Sequence, residues 1–213
     1  MSGETKNLRL RELVRDWVEG WALSRAVAPS VEVPEGFFLH VGRPDHVARY
    51  VLPNHDPPAL RDLAQRITTP HTWLKICAPR DEIVLPQAWV LSGPEFLMAT
   101  PLRVDAPAVP SPYALEIVAS VNTIDARLLA PDGEVAARGR IAIRGAVAVV
   151  DQVETDPAHR RRGLGRVVMQ VLCTHASMHG ASRGVLVATP DGLALYQVLG
   201  WTMESPITAA VLH

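Results

Sequence analysis

The stretch VETDPAHRRRGLGRVVMQVL, Val153 to Leu172, decides how this chain is read. It joins the tail of an apolar, strand-like run to a helical pattern. The joint is three arginines followed by Gly163, Leu164 and Gly165. Glycines at such a joint let the backbone pass close to a ligand and turn its amides outward. A helix start also has four N–H groups without intrahelical partners and a partial positive charge, which suits phosphate. Arg160, Arg161, Arg162 and Arg166 add charge where basic side chains oppose the helix dipole, so an anionic partner explains them better than a solvated surface. Adjacent side chains diverge, so not all four reach one ligand. The spacing is not a P-loop, because no Lys-Ser/Thr follows the glycines. It is not the Rossmann fingerprint either, since only Gly-Leu-Gly is present.

The elements around this loop read as α/β. Upstream, EVAARGRIAIRG and AVAVVDQVET give two strands joined by a short connection, so they are expected to be antiparallel. YALEIVASV and IDARLLA are strand candidates before them, and Pro131 to Gly133 is a turn. Downstream, a helix runs from Gly163 to His179 with Gly180 as its stop. GVLVAT follows as an apolar strand, GLALYQVL as a short helix ending at Gly200, and ITAAVL as a last strand. A helix between two strands in this order suggests a parallel crossover.

The first half opens with an amphipathic helix whose stripe is Leu10, Leu13, Val14, Trp17 and Trp21. GFFLHVG, HVARYVL and TWLKICA read as strands, and PPALRDLAQRI as a short helix with proline near its start. Arg103 to Pro112 holds three prolines and reads as an extended connector. It suggests a division into residues 1–112 and 113–213. The layout of HVARYVLPNHDPPALRDLAQRI echoes that of the loop region, with Asp56-Pro57 answering Asp156-Pro157. A degenerate duplication fits this echo; the first copy lacks the arginines and glycines.

TDPAHRRRGLGRVVMQVL resembles the acetyl-CoA signature of the GNAT superfamily, the Gcn5-related N-acetyltransferases. The family's Arg/Gln-x-x-Gly-x-Gly/Ala falls on Arg160, Gly163 and Gly165. LALYQVLGW resembles a second signature, with Tyr196, Gly200 and Trp201 at its tyrosine, glycine and aromatic places. The resemblance covers roughly residues 113–213. Thr189 stands where an asparagine is frequent, and Gly192 where an alanine is.

The resemblance implies a mixed, twisted sheet whose two central strands splay apart to admit acetyl-CoA, the acyl donor. It makes the first half a candidate degenerate GNAT-like unit. The pantetheine arm would lie along Val153 to Thr155. The diphosphate would rest on amides of the stretch from Arg161 through Gly163, Leu164 and Gly165 to Arg166. The acceptor would be a primary amine on a small molecule or peptide. A CoA-binding sensor or assembly protein without transfer chemistry is the alternative.

Acyl transfer from a thioester to an amine needs a base for the amine, a donor for the oxyanion and a proton for the thiolate. The resemblance puts the oxyanion donor near Val153 and makes Tyr196 the acid. Asp151, Glu154 and Glu116 are the candidate bases. Strict alternation would point Asp151 and Glu154 to opposite faces, and Asp151 interrupts the apolar AVAVVDQV.

Composition narrows the field. The chain has 213 residues, 48% hydrophobic and 20% charged, with a formal net charge of −1, so no global field favours nucleic acid. The tryptophans are not interleaved with a basic stripe, which argues against a base-stacking platform. No apolar run approaches the ~18 residues that span a bilayer. MSGETKNLRL holds no export segment and Cys77 lies far from Cys173, so a reduced, cytoplasmic setting is expected. His175 and His179 lie one helical turn apart, but two ligands do not make a zinc site, and no metal is expected. A monomer or homodimer is expected.

Overall fold

A computed structural model describes residues 3–213, with side chains from residue 5. The fold is mixed α/β, with four α-helices among the described residues. The chain divides into two compact units. The first comprises the chain up to Met98 together with Val187–Leu193 and Met203–His213; the second comprises Ala99–Leu186 and Ala194–Thr202. The boundary between Met98 and Ala99 falls inside one long strand, and the last strand returns to the first unit.

The first unit begins with helix α1 (Gly3–Arg25), followed by strands β1 (Val31–Val33), β2 (Gly36–Arg43) and β3 (His46–Leu52). Helix α2 (Pro57–Arg66) then leads to β4 (Thr72–Ile76) and to β5 (Trp89–Pro101), which carries the chain onward. With the final strand, β11 (Thr202–Leu212), the order is β1-β2-β3-β4-β11. β3 and β4 are parallel, joined by α2, and the other adjacent pairs are antiparallel. The α2 stripe of Leu60, Leu63 and Ala64 packs on Leu52, Leu74, Ile76 and Ala210. The Trp89 indole N–H donates to the Ala64 carbonyl at 3.1 Å, so the buried ring leaves no polar atom stranded. On α1, Leu13, Val14, Trp17 and Trp21 are all buried, as their helical spacing requires. The Arg49 guanidinium stacks 4.0 Å over the Trp21 ring.

The second unit is an antiparallel meander, β6 (Ala114–Ala119), β7 (Thr123–Leu129), β8 (Val135–Arg144) and β9 (Val147–Thr155). Helix α3 (Leu164–Met178) crosses over to β10 (Arg183–Ala188), which is parallel to β9. The order is β10-β9-β8-β7-β6. Helix α4 (Pro190–Val198) follows β10, and its second half belongs to this unit. α3 buries Val167, Val168, Val171 and Leu172. Gly139 on β8 lets it sit close: a Cβ there would fall 2.7 Å from Val168 Cγ1 and 3.0 Å from Leu172 Cδ1. The connector is tied to α3 by Thr174, whose hydroxyl accepts from the Asp105 N–H at 3.0 Å and donates to the Asp105 carbonyl at 3.1 Å. No helix among the described residues is long and apolar enough to cross a membrane.

Candidate functional site

β9 and β10 pair only at their beginnings, Val147 with Arg183, Ala148 with Gly184 and Val149 with Val185. β9 then runs on to Thr155 without pairing to β10, leaving a gap along Val150 to Thr155. A bulge lies within this stretch. Gln152 has φ +57°, and the register of β8 against β9 shifts there, so that Arg140 faces Asp151 while Arg138 faces Glu154. One extra residue bends the strand and disrupts its ladder. In the first unit β3 and β4 stay paired over five positions, Ala48 with Thr72 through Leu52 with Ile76, and no such gap opens.

The bulge overturns one expectation. Asp151 and Glu154 do not point to opposite faces: each stands opposite an arginine of β8, and Arg138 and Arg140, two residues apart, share a face. The Glu154 carboxylate accepts from Arg138 Nη2 at 2.7 Å and Nε at 3.1 Å, and both side chains are well exposed. The Asp151 carboxylate accepts from the Gln152 N–H at 2.9 Å. Arg140 is gripped by Asp125 of β7 through Nε at 2.8 Å and Nη2 at 3.0 Å. That hydrogen bonding, with the charges of Asp125 and Asp151, raises the Arg140 pKa. Asp125 and Arg140 carried no sequence signal, because 15 residues separate them and only the sheet register joins them. Glu116 lies on β6 at the far edge of the meander, bonded to Arg127 at 3.4 Å. Three strand spacings, roughly 14 Å, separate β6 from β9.

Beyond β9 the chain turns at Asp156, whose carboxylate accepts from the Ala158 N–H at 2.8 Å. Gly163 caps α3 in the left-handed region, φ +77° and ψ 3°. A Cβ there would meet nothing within 4 Å, so the backbone conformation, not crowding by the protein, selects glycine. Gly165 is different: its Cβ would lie 3.2 Å from Leu195 Cδ2 on α4 and 3.6 Å from Thr155 Oγ1. The Val167 N–H donates to the Gly163 carbonyl at 3.2 Å, so the N–H groups of Leu164, Gly165 and Arg166 stand at the open helix end. The corresponding end of α2 is built otherwise. Pro57 and Pro58 bring no N–H there, and the Asp56 carboxylate accepts from the Ala59 N–H at 3.4 Å.

All four loop arginines are exposed. Two fold back onto their own loop: Arg160 Nε donates to the Thr155 carbonyl at 3.3 Å, and Arg162 Nη2 to the Ala158 carbonyl at 3.3 Å. Arg162 Nη1 also donates to the Tyr113 hydroxyl at 2.8 Å, a contact the sequence gave no means of finding. Arg161, at φ +61°, and Arg166 bear the remaining charge.

Tyr196 of α4 is buried, its ring 6.2 Å from that of Trp201. Burial first, then the charges of Asp151 and Cys173, push its phenol up to about 12. A cavity of about 400 Å³ opens beside α3 and the end of α4, with Arg166, Gln170, Cys173, Trp201, Arg103 and Asp105 in its walls. A second, of about 370 Å³, touches Arg138, Glu154, Thr155, Asp156, Pro157 and Arg160. His175 and His179 serve the helix end, the His179 ring Nδ1 lying 2.7 Å from the His175 carbonyl.

Residues 115–201 match the model of the Acetyltransferase (GNAT) family. No curated protein matches the chain. Among solved structures, a GCN5-related N-acetyltransferase from Kribbella flavida has a TM-score of 0.61 at 16% identity, with 92% of this chain and 94% of that one covered. A putative GNAT-family acetyltransferase from Novosphingobium aromaticivorans has a TM-score of 0.60 at 17% identity, covering 92% and 93%. A tandem GNAT protein from the clavulanic acid biosynthesis pathway has a TM-score of 0.53 at 12% identity, covering 65% and 62%. The fold is that of GNAT proteins over most of the chain.

Proposed function

We propose that this chain is an acetyl-CoA-dependent N-acetyltransferase acting on a primary amine, with the donor site wholly on the second unit. The observation that carries the reading is the pairing of a strand gap with an open helix end. β9 leaves β10 after Val149, and one loop later α3 begins on the left-handed Gly163. The residues fit the donor. The N–H groups of Leu164, Gly165 and Arg166 are suited to a diphosphate, with Arg161 and Arg166 supplying charge. The unpaired edge of Val153 to Thr155 is suited to an amide-rich pantetheine arm, and the cavity beside Arg166 to the nucleotide end.

The chemistry then follows from position. The amine nitrogen attacks the thioester carbon, its proton leaves, and the C–S bond breaks to a thiolate. A β9 amide near Val153 would hold the developing oxyanion. Holding donor and acceptor side by side supplies much of the rate through orientation. Tyr196, with its phenol near 12, keeps its proton at neutral pH and serves by hydrogen bonding to the departing sulfur. Asp151 is the carboxylate placed to receive the acceptor ammonium and to relay its proton through water. Glu154, tied to Arg138 in the open, is better suited to holding the strand pair.

The first unit repeats the strand, helix and parallel-strand order of the second but has neither gap nor open helix end. It is read as a degenerate GNAT-like unit that does not bind the donor. The test is thiol release from acetyl-CoA with spermidine, tyramine and a lysine-containing peptide, beside calorimetry with CoA. CoA binding with amine-dependent thiol release is the expected result. Binding without release from any amine favours the sensor reading, and absence of binding removes both.

A further inference from the structure

We infer that Tyr113 is a positioning residue that braces the loop before α3 through Arg162 and His159. The inference rests on reading that loop as the diphosphate cradle. Tyr113 stands at the end of the proline-rich connector, just ahead of the span matched by the family. Its hydroxyl accepts from Arg162 Nη1 at 2.8 Å and lies 3.0 Å from His159 Nδ1, with the two rings nearly perpendicular at 80°.

The direction of these bonds is set by the inventory of donors. A guanidinium has no acceptor, so Arg162 gives its proton to the phenol oxygen. The phenol has one proton of its own, and Nδ1 of a His159 carrying hydrogen on Nε2 is the acceptor within reach. With His159 in that tautomer the chain of donation runs Arg162 to Tyr113 to His159. The second amino group of Arg162 reaches the Ala158 carbonyl at 3.3 Å. Three loop residues, Ala158, His159 and Arg162, are thus drawn together around one hydroxyl supplied from outside the loop. Arg161 sits between the tied residues in the left-handed region at φ +61°, a conformation uncommon for a non-glycine residue. The brace holds that turn in place before any ligand arrives. A loop ordered in advance binds without an ordering cost.

This role differs from that of Arg161 or Arg166. Tyr113 brings no charge to the ligand and acts only through the residues it holds. The test is a double-mutant cycle in CoA binding, measured by calorimetry on the full chain. Y113F removes the hydroxyl and keeps the ring. It is expected to raise the CoA dissociation constant roughly tenfold. The same change made in an R162M background should add less than about twofold, since the bond is already lost. In ¹⁵N spectra of imidazole-labelled protein, His159 should move from a single Nε2–H tautomer to a mixture in Y113F. H159A, at the other end of the brace, provides the same cycle should Y113F not fold, with about a threefold loss expected. CoA affinity in Y113F within twofold of the parent, or a loss that simply adds to that of R162M, overturns the inference while leaving the cradle intact. A parent chain that does not bind CoA removes the cradle and the inference together.

Discussion

Asp151 and Glu154 stand on one face of the sheet although they lie three positions apart, because an extra residue is inserted at Gln152. The insertion lies on the stretch of β9 that is no longer paired with β10, so the two carboxylates flank the gap between those strands. Their surroundings then separate their roles. Glu154 is 62% exposed and bonded to Arg138, while Asp151 is partly buried and its charge adds to the burial that raises the Tyr196 phenol. D151N is expected to lower turnover about a hundredfold with little change in CoA affinity. E154Q, which touches one exposed ion pair, should stay within about twofold. Equal losses in the two variants would show that exposure does not sort them.

Tyr196→Phe should lower kcat about tenfold and leave the dissociation constant for CoA unchanged, because the hydroxyl interacts with a charge that develops only as the C–S bond breaks. With the phenol pushed up to about 12, no ionisation of Tyr196 limits the rate at or below pH 10. The pH profiles of parent and variant should therefore have the same shape in that range. A basic limb in the parent that vanishes in the variant would contradict the assignment.

Gly163→Glu should retain the fold, since a Cβ there meets nothing within 4 Å, at a cost of about 1 kcal/mol for a side chain at φ +77°. Its carboxylate would sit where the diphosphate is proposed to bind, so CoA affinity should disappear in calorimetry. Unchanged affinity would place the cofactor elsewhere.

Gly139→Ala tests the packing of α3 on β8. The new methyl would fall 2.7 Å from Val168 Cγ1, and overpacking of this kind costs about 1–3 kcal/mol. The measurement is urea unfolding, and a midpoint equal to the parent's would mean that the helix shifts freely.

His46 gives the first unit a pH dependence. Its ring lies about 6 Å from those of Trp21 and Trp73. Burial, then the charges of Arg49 and Lys75, push the imidazole down to about 3 from an ordinary 6.5. Between those values the unfolded chain takes up a proton that the folded chain refuses. Stability is full above pH 6.5 and falls as the pH drops toward 3. H46Q should show a shallower decline between pH 6.5 and 4 in urea unfolding; an identical slope would assign the acid sensitivity to other groups.

The sequence by itself determined the local pieces. The glycine and arginine loop, the stripe of α1, the Asp-Pro pairs at Asp56 and Asp156 and the order of strands around α3 all depend on residues within a few positions of one another, where spacing and backbone preference act directly. The four arginines were legible as charge, but that Arg160 and Arg162 turn back to carbonyls of their own loop was not. Only the tertiary structure decided the bulge at Gln152, a position with no glycine to announce it, and with it the shared face of Asp151 and Glu154. It alone brought Asp125 to Arg140 and Tyr113 to Arg162, and returned β11 to the first unit. Each of these depends on strand register or on contacts across many residues. A one-residue slip in register reverses every side chain, and no local pattern in the chain fixes it.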